Sequence, residues 1–270
     1  MTQLVVRRLL VDLETPFARS WNGGDAFRTA LFNALSMSFV VGEQYFIDSV
    51  RNGLKELPPQ QQAAMADEVA GFIGQEATHR RIHTLFNAQL AAQGFDNWIE
   101  RQGLKRRADN AHRNFRIHLA ATAATEHFTA LLAHWIMRHP EVFDCAEPRL
   151  RSLWTWHAAE ELEHCSTAFD VYLAASGDHA WRVRIFKFVT LMFVSDVTRQ
   201  TVINLWQDKA LFKWGTWAGA WRLLFAKDGM ARGTRAGWRD YLAPGFHPSQ
   251  QSAEPSRQWL RDNTAVFKAV

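Results

Sequence analysis

Glu76-Ala77-Thr78-His79 returns 85 positions later as Glu161-Leu162-Glu163-His164. Each quartet is Glu-x-x-His within a long stretch of helical periodicity. Residues three apart on an α-helix lie only ~60° apart around its axis, so carboxylate and imidazole point the same way and can reach one ion. A single such pair arises readily on an exposed helix face. Two pairs, on helices that a bundle would bring together, are harder to read as surface ion pairs. Two more glutamates sit among apolar or small residues: Glu43, between Phe39-Val40-Val41-Gly42 and Tyr45-Phe46-Ile47, and Glu126, after Leu119-Ala120-Ala121-Thr122-Ala123-Ala124-Thr125. A buried glutamate is costly unless it is paired, hydrogen-bonded or bound to a metal. The order Glu, Glu-x-x-His, Glu, Glu-x-x-His is that of carboxylate-bridged two-metal helical bundles.

Periodicity and chain breakers put this order on long helices. The first is expected over 26–54, ahead of Pro58-Pro59, and the second over 60–93, ahead of Gly94. After a connection over 95–105, the third spans 107–138 and stops before Pro140. The fourth runs from Pro148, suited to a first turn, to Ser176-Gly177. The expected fold class is therefore all-α: a ferritin-like four-helix bundle with additional C-terminal helices. Residues 1–178 form the N-terminal segment and bundle. Residues 179–270 form helices over 179–206 and 209–227 and an irregular tail from Ala243, with a short helix near 257–267, packed on the bundle.

The donors divide into firm and secondary sets. Glu43, Glu76, His79, Glu126, Glu161 and His164 give each of two metals one histidine and one terminal glutamate, while two glutamates bridge. Mixed N/O ligation with open positions suits Fe or Mn and admits Zn. His157 stands at i, i+4 and i+7 with Glu161 and His164, so it reads as a seventh ligand or as a group orienting one. Glu160 flanks that sector and rivals Glu161, whereas Glu163 points away and reads as solvated. His83, one turn beyond His79, reads as a group orienting a bridging carboxylate, with a ligand role as the lesser alternative. Thr122, one turn before Glu126, either steers bound oxygen or back-bonds to its own helix. His127 reads as packing or exposed; Asp48, Arg51 and Arg80 can pair with a ligand or solvate a face.

Other chemistries find little support. A net charge of +4 spread along the chain gives no concentrated basic face for nucleic acid in the first 180 residues. Cys145 and Cys165 form no Cys-x-x-Cys pair, which fits a reducing, cytoplasmic compartment. No signal peptide is read at the N-terminus. The most apolar long stretch, 185–206, is interrupted by Lys187, Asp196, Arg199, Gln200 and Asn204, too many for a lipid-exposed span. Neither a Gly-x-Ser-x-Gly elbow nor a phosphate-binding glycine loop occurs.

Four segments carry a family resemblance. Phe39-Val40-Val41-Gly42-Glu43-Gln44-Tyr45-Phe46-Ile47-Asp48-Ser49-Val50-Arg51, Phe72-Ile73-Gly74-Gln75-Glu76-Ala77-Thr78-His79, Glu160-Glu161-Leu162-Glu163-His164 and Tyr241-Leu242-Ala243-Pro244-Gly245-Phe246-His247-Pro248 are similar to the bacterial family labelled predicted metal-dependent hydrolase. The match spans nearly the whole chain, with Val40 and Val41 where prolines are usual and Ser249 where a tryptophan is common. The ligand order, His157 included, resembles that of the p-aminobenzoate N-oxygenase group of di-iron enzymes. That resemblance implies Glu43, Glu76, His79, Glu126, His157, Glu161 and His164 as ligands. It is confined to the metal motif and says nothing of the substrate.

The function expected from these readings is a non-haem di-iron oxygenase acting with O2 on a small, apolar organic substrate. Two electrons per turnover would come from an electron-donor protein. The first alternative is a two-metal hydrolase directing a bridging hydroxide at an ester, amide or phosphate. The second is a non-catalytic iron-binding or ferroxidase protein; the long region after the bundle does not suggest a cage subunit, and a homodimer is compatible with the sequence. Seven of the 12 tryptophans lie from Trp181 onward. Trp214, Trp217 and Trp221, accompanied by Lys209, Lys213, Arg222 and Lys227, are expected to pack on the bundle and roof the site. The other reading is weak contact with a membrane surface.

Overall fold

The computed structural model describes residues 4–270, and it is all-α apart from a two-stranded sheet. Helix α1 (Ala26–Lys55) is capped by Asp25, whose side chain accepts from the Arg28 amide. Helix α2 (Pro59–Ala92) opens on a proline, whose fixed φ and missing N–H suit a first turn. Helix α3 (Trp98–Asn110) precedes α4 (Phe115–Arg138), and α5 (Pro148–His164) leads into α6 (Thr167–Ala174). α1 packs on α2 and α4, and α5 and α6 pack on both α4 and α2. Each of the four helices that carry the Glu and Glu-x-x-His motifs thus packs on two of the others.

Two boundaries differ from the expectation. The stretch read as a connection over 95–105 belongs largely to α3, and the third long helix begins at Phe115. Asn97 caps α3 by accepting from the Glu100 amide, and Asn114 caps α4 by accepting from the Arg116 amide. Asn97-x-x-Glu100 and Asn114 were the local signals for this division. The helix expected over 148–176 is also broken, at Cys165 and Ser166. Both residues stay in the right-handed region, so the apolar period continues while the helical ladder is interrupted. No proline or glycine marks the place.

Helix α7 (His179–Gln207) lies across α1 and α4. The polar residues that interrupt its apolar stretch stitch it down. Gln200 donates to Asp96 O at 2.8 Å and accepts from the Ile99 amide at 2.9 Å, and Asn204 donates to Ala30 O at 3.0 Å. No described helix is long and apolar enough to cross a membrane. Helix α8 (Trp214–Phe225), shorter than the expected 209–227, is followed by the short α9 (Met230–Gly233) and α10 (Arg235–Asp240). The tryptophans of α8 do not roof the bundle: Trp214 is 85% exposed, Trp221 65% and Trp217 44%. The buried face of α8 is instead its small and aliphatic side, Thr216, Gly219, Ala220 and Leu223.

The tail is packed rather than irregular. Tyr241 is fully buried among Phe186, His127 and Phe246, and Arg182 donates to the carbonyls of Tyr241 and Ala243. Helix α11 (Glu254–Asp262) sits on α5, where Ser256 donates to Ala159 O at 2.6 Å. Strand β2 (Phe267–Ala269) then pairs antiparallel with β1 (Arg7–Leu9), Arg7 opposite Ala269. Strands of this length leave no alternating pattern to read.

From β1 an extended arm buries Leu9, Leu13, Phe17 and Trp21 and runs along α2, where Gln89 and Gln93 donate to its carbonyls. Close approach of the chain ahead of β1 depends on Gly74. A Cβ there would lie 2.4 Å from Val6 Cγ2, and a β-branched valine has little freedom to turn away. Gly74→Leu is therefore expected to lift the arm and destabilise the protein by about 1–3 kcal/mol, measured as a fall in the urea midpoint.

Candidate metal centre

Helical spacing delivers the side chains and burial fixes their state. Glu43 from α1, Glu76 and His79 from α2, Glu126 from α4, and His157, Glu161 and His164 from α5 are all buried. One donor atom from each of Glu76, His79, Glu161 and His164 lies within 4.8 Å of the others, and the same holds for Glu43, His83 and His157. Glu161 is the hub. Its Oε1 lies 2.8 Å from His157 Nε2, 3.1 Å from His79 Nδ1 and 3.7 Å from His164 Nε2. His164 Nε2 in turn faces Glu76 at 3.0 Å and Glu126 at 3.6 Å.

The surrounding hydrogen bonds turn three imidazole nitrogens toward this hub. His79 Nε2–H donates to Glu160 at 3.1 Å, leaving Nδ1 turned inward. His164 Nδ1–H donates to Gln75 Oε1 at 2.9 Å, leaving Nε2 inward; the Gln75 amide is oriented because its nitrogen donates to Val5 O and Glu163. For His157 the chain of bonds is longer. Asn87 Nδ2 donates to Ser36 O, so Asn87 Oδ1 accepts from the Ser36 hydroxyl at 2.8 Å. His83 Nδ1–H then donates to Ser36 Oγ, and His157 Nδ1–H to His83 Nε2 at 2.7 Å. The network assigns His157 Nε2 as the unprotonated nitrogen, aimed at Glu161. Such outward partners are what orient histidines around a metal.

Apart from His157 Nε2 and Glu161 Oε1, 2.8 Å apart, the inward atoms face one another without a hydrogen bond. Both carboxylate oxygens of Glu43, Glu76 and Glu126, Glu161 Oε2, His79 Nδ1 and His164 Nε2 are buried without a hydrogen bond. Buried polar groups left so are rare and expensive. Their convergence from four helices fits divalent cations, and an all-carboxylate and imidazole set suits Fe, Mn or Zn. The electrostatics agree. Burial, with the charge of Glu76 adding to it, pushes Glu43 and Glu126 well above the usual carboxylate range. Against the opposing effect of burial, the Glu160 and Glu161 carboxylates beside it raise His79 to about 10. Burial, reinforced by the charge of His79, lowers His157 to about 4. Carboxylates crowded into one dry space must be neutralised, by protons or by cations.

Neighbouring residues fall into place around this core. His83 is fully buried and orients His157 rather than a carboxylate. Glu160, the rival of Glu161, lies behind His79, where it also accepts from Arg7 at 3.1 Å. Glu163 is not solvated: it accepts from Arg7 at 2.6 Å and from Gln75 at 2.9 Å. Thr122 Oγ1 is buried and unpaired, so it does not back-bond to its helix. His127 packs, donating to Gly237 O at 2.9 Å. Asp48 pairs with Arg107 and Arg51, away from the donors, and Arg80 is exposed. Arg7 and the Ser36–Asn87 pair went unread in the sequence; a lone arginine in an irregular stretch gives no signal, while Gln75, beside Glu76, was at least on the right helix.

Residues 5–252 match the family model described as predicted metal-dependent hydrolase. The chain belongs to that family. No curated protein and no solved structure matches it. In this member of the family the donor cluster supplies the residues on which metal dependence would rest.

Two outcomes are expected. The purified chain binds two divalent ions, measured by elemental analysis, and excess metal at ~1,000 times Kd stabilises it by about 4 kcal/mol; Glu161→Ala loses both effects. Arg7→Ala, which frees both Glu160 and Glu163, weakens metal binding about 10–100-fold, read by competition with a chromogenic chelator.

Proposed function

We propose that the chain is a two-metal enzyme, with iron as the metal, that uses O2 to oxidise an apolar organic substrate. The observation that carries this reading is the donor set: buried glutamates and inward imidazole nitrogens on facing helices, most of them, His79 Nδ1 and His164 Nε2 included, without a hydrogen-bond partner. Bound iron would supply the redox chemistry that no side chain here can provide. The chain's own residues do the rest. Glu161, central to three histidines, would hold the ions together with Glu76, Glu43 and Glu126. Arg7, Gln75, Glu160 and His83 hold the imidazoles in their inward tautomers. The Thr122 hydroxyl, unpaired one turn from Glu126, is available to a ligand beside the metals.

A cavity of about 360 Å³ between α1, α3, α4 and α7, with an arginine-bearing rim (Arg106, Arg107, Arg113) and no donor residue in its lining, is the place this reading gives to an apolar substrate. It is lined on α1 by Gly42 and Phe46, which flank Glu43, on α4 by Ala121 and Thr125, which flank Thr122 and Glu126, and on α7 by Met192 and Phe193. Electrons would come from a donor protein. The second reading is hydrolysis, favoured by the family's description; two cations would then supply a water nucleophile to an ester, amide or phosphate.

One experiment separates the two. Metal-free protein is loaded with Fe(II) or Zn(II) and assayed in an oxygen electrode with a reductant, and against a panel of esters and phosphoesters. The oxygenase reading expects O2 uptake by the iron form, abolished in Glu161→Ala. Hydrolysis by the zinc form, with no O2 uptake by the iron form, would reverse the ranking.

A further inference from the structure

From Arg184 to Lys227 every exposed charge is positive, and one exposed acid, Asp228, follows directly. Arg184, Lys187 and Arg199 are exposed on α7, and Lys209, Lys213, Arg222 and Lys227 around α8. The two acids of this segment are engaged from elsewhere, Asp196 by Arg106 at 2.8 Å and Asp208 by Arg19. Among the described residues, ten of the fifteen exposed large hydrophobic side chains also lie here, between Phe188 and Phe225. Phe212 is 84% exposed and Trp206 63%, in line with the exposed tryptophans of α8. Trp206 and Phe212, their rings 6.1 Å apart, join the end of α7 to the approach to α8, and so many exposed apolar side chains in one stretch mark an interaction site.

We propose that the α7–α8 edge seats the protein on an anionic lipid surface, with its tryptophans at headgroup level. Aromatic side chains favour that depth because one end is apolar and the other hydrogen-bonds, and each flanking cation is drawn to anionic headgroups. The platform is preformed. Thr216, Gly219, Ala220 and Leu223 fix the opposite face of α8, and Trp217 Nε1–H is held by Leu211 O at 2.8 Å. A second copy of the chain fits this face poorly, because a symmetric contact would set the same cations against each other. The docking does not depend on which reaction the metals support. It does place the lipid beside the apolar cavity, since Phe188 belongs to both the exposed face and the cavity lining.

The test is flotation of the full chain with phosphatidylcholine vesicles, with and without phosphatidylglycerol. The chain is expected to float with the anionic vesicles only, and to release as salt is raised to ~0.5 M. The double variants Trp214→Ser/Trp221→Ser and Lys209→Glu/Lys213→Glu should each reduce partitioning by about tenfold or more, with metal content and thermal midpoint unchanged. Failure to float with anionic vesicles, or flotation of both variants like the parent, would overturn the proposal. So would a dimer in solution that Trp214→Ser/Trp221→Ser dissociates, since a second copy would then cover the face.

Discussion

Carboxylates held close together in a space without water repel one another and forgo hydration. Glu43, Glu76, Glu126 and Glu161 are in that position, each at most 4% exposed. No packing of apolar side chains can compensate such a group; positive charge or protons must. The fold is arranged around this constraint. Four helical stretches are long and adjacent so that their inward stripes meet, and the histidines among them turn a ring nitrogen toward the carboxylates. Phe39, Phe72 and Trp156 pack directly on His157, His164 and His79, keeping solvent from the imidazoles.

Much of this was legible because helical geometry is local. The i, i+3 spacing of Glu76 with His79 and of Glu161 with His164 fixes their relative direction before any tertiary structure is known. Adding His157 needed only one more turn. The long helices could be read for the same reason: their apolar period runs for tens of residues, and proline or glycine ends most of them. All-α character followed directly.

What escaped was contact between segments far apart in the chain. Nothing near Arg7 predicts that it will meet Glu160 and Glu163. The error over Glu163 has the same root, since its direction on the helix was read correctly but what lay in that direction was not. The break after His164 was hidden for a different reason: right-handed torsions continue through Cys165 and Ser166, so the apolar pattern does not register a change in the ladder. The tryptophans of α8 mark the limit of amphipathicity as a guide. It identifies an apolar side but not which side faces the body of the protein, and here small residues with Leu223 were buried while the aromatic rings stayed outside.

The pairing of β1 with β2 gives the centre a place in the order of folding. Arg7 is opposite Ala269, so the strand carrying it is braced by a segment that must first travel around the whole helical body. Contacts of such sequence separation form late, because loop closure must be completed before they are rewarded. Helices can bring the glutamates together earlier, but Arg7 comes to Glu160 and Glu163 only when this last pairing closes. Firm metal binding would then mark a chain that has finished folding, and a partly folded one would hold its ions loosely.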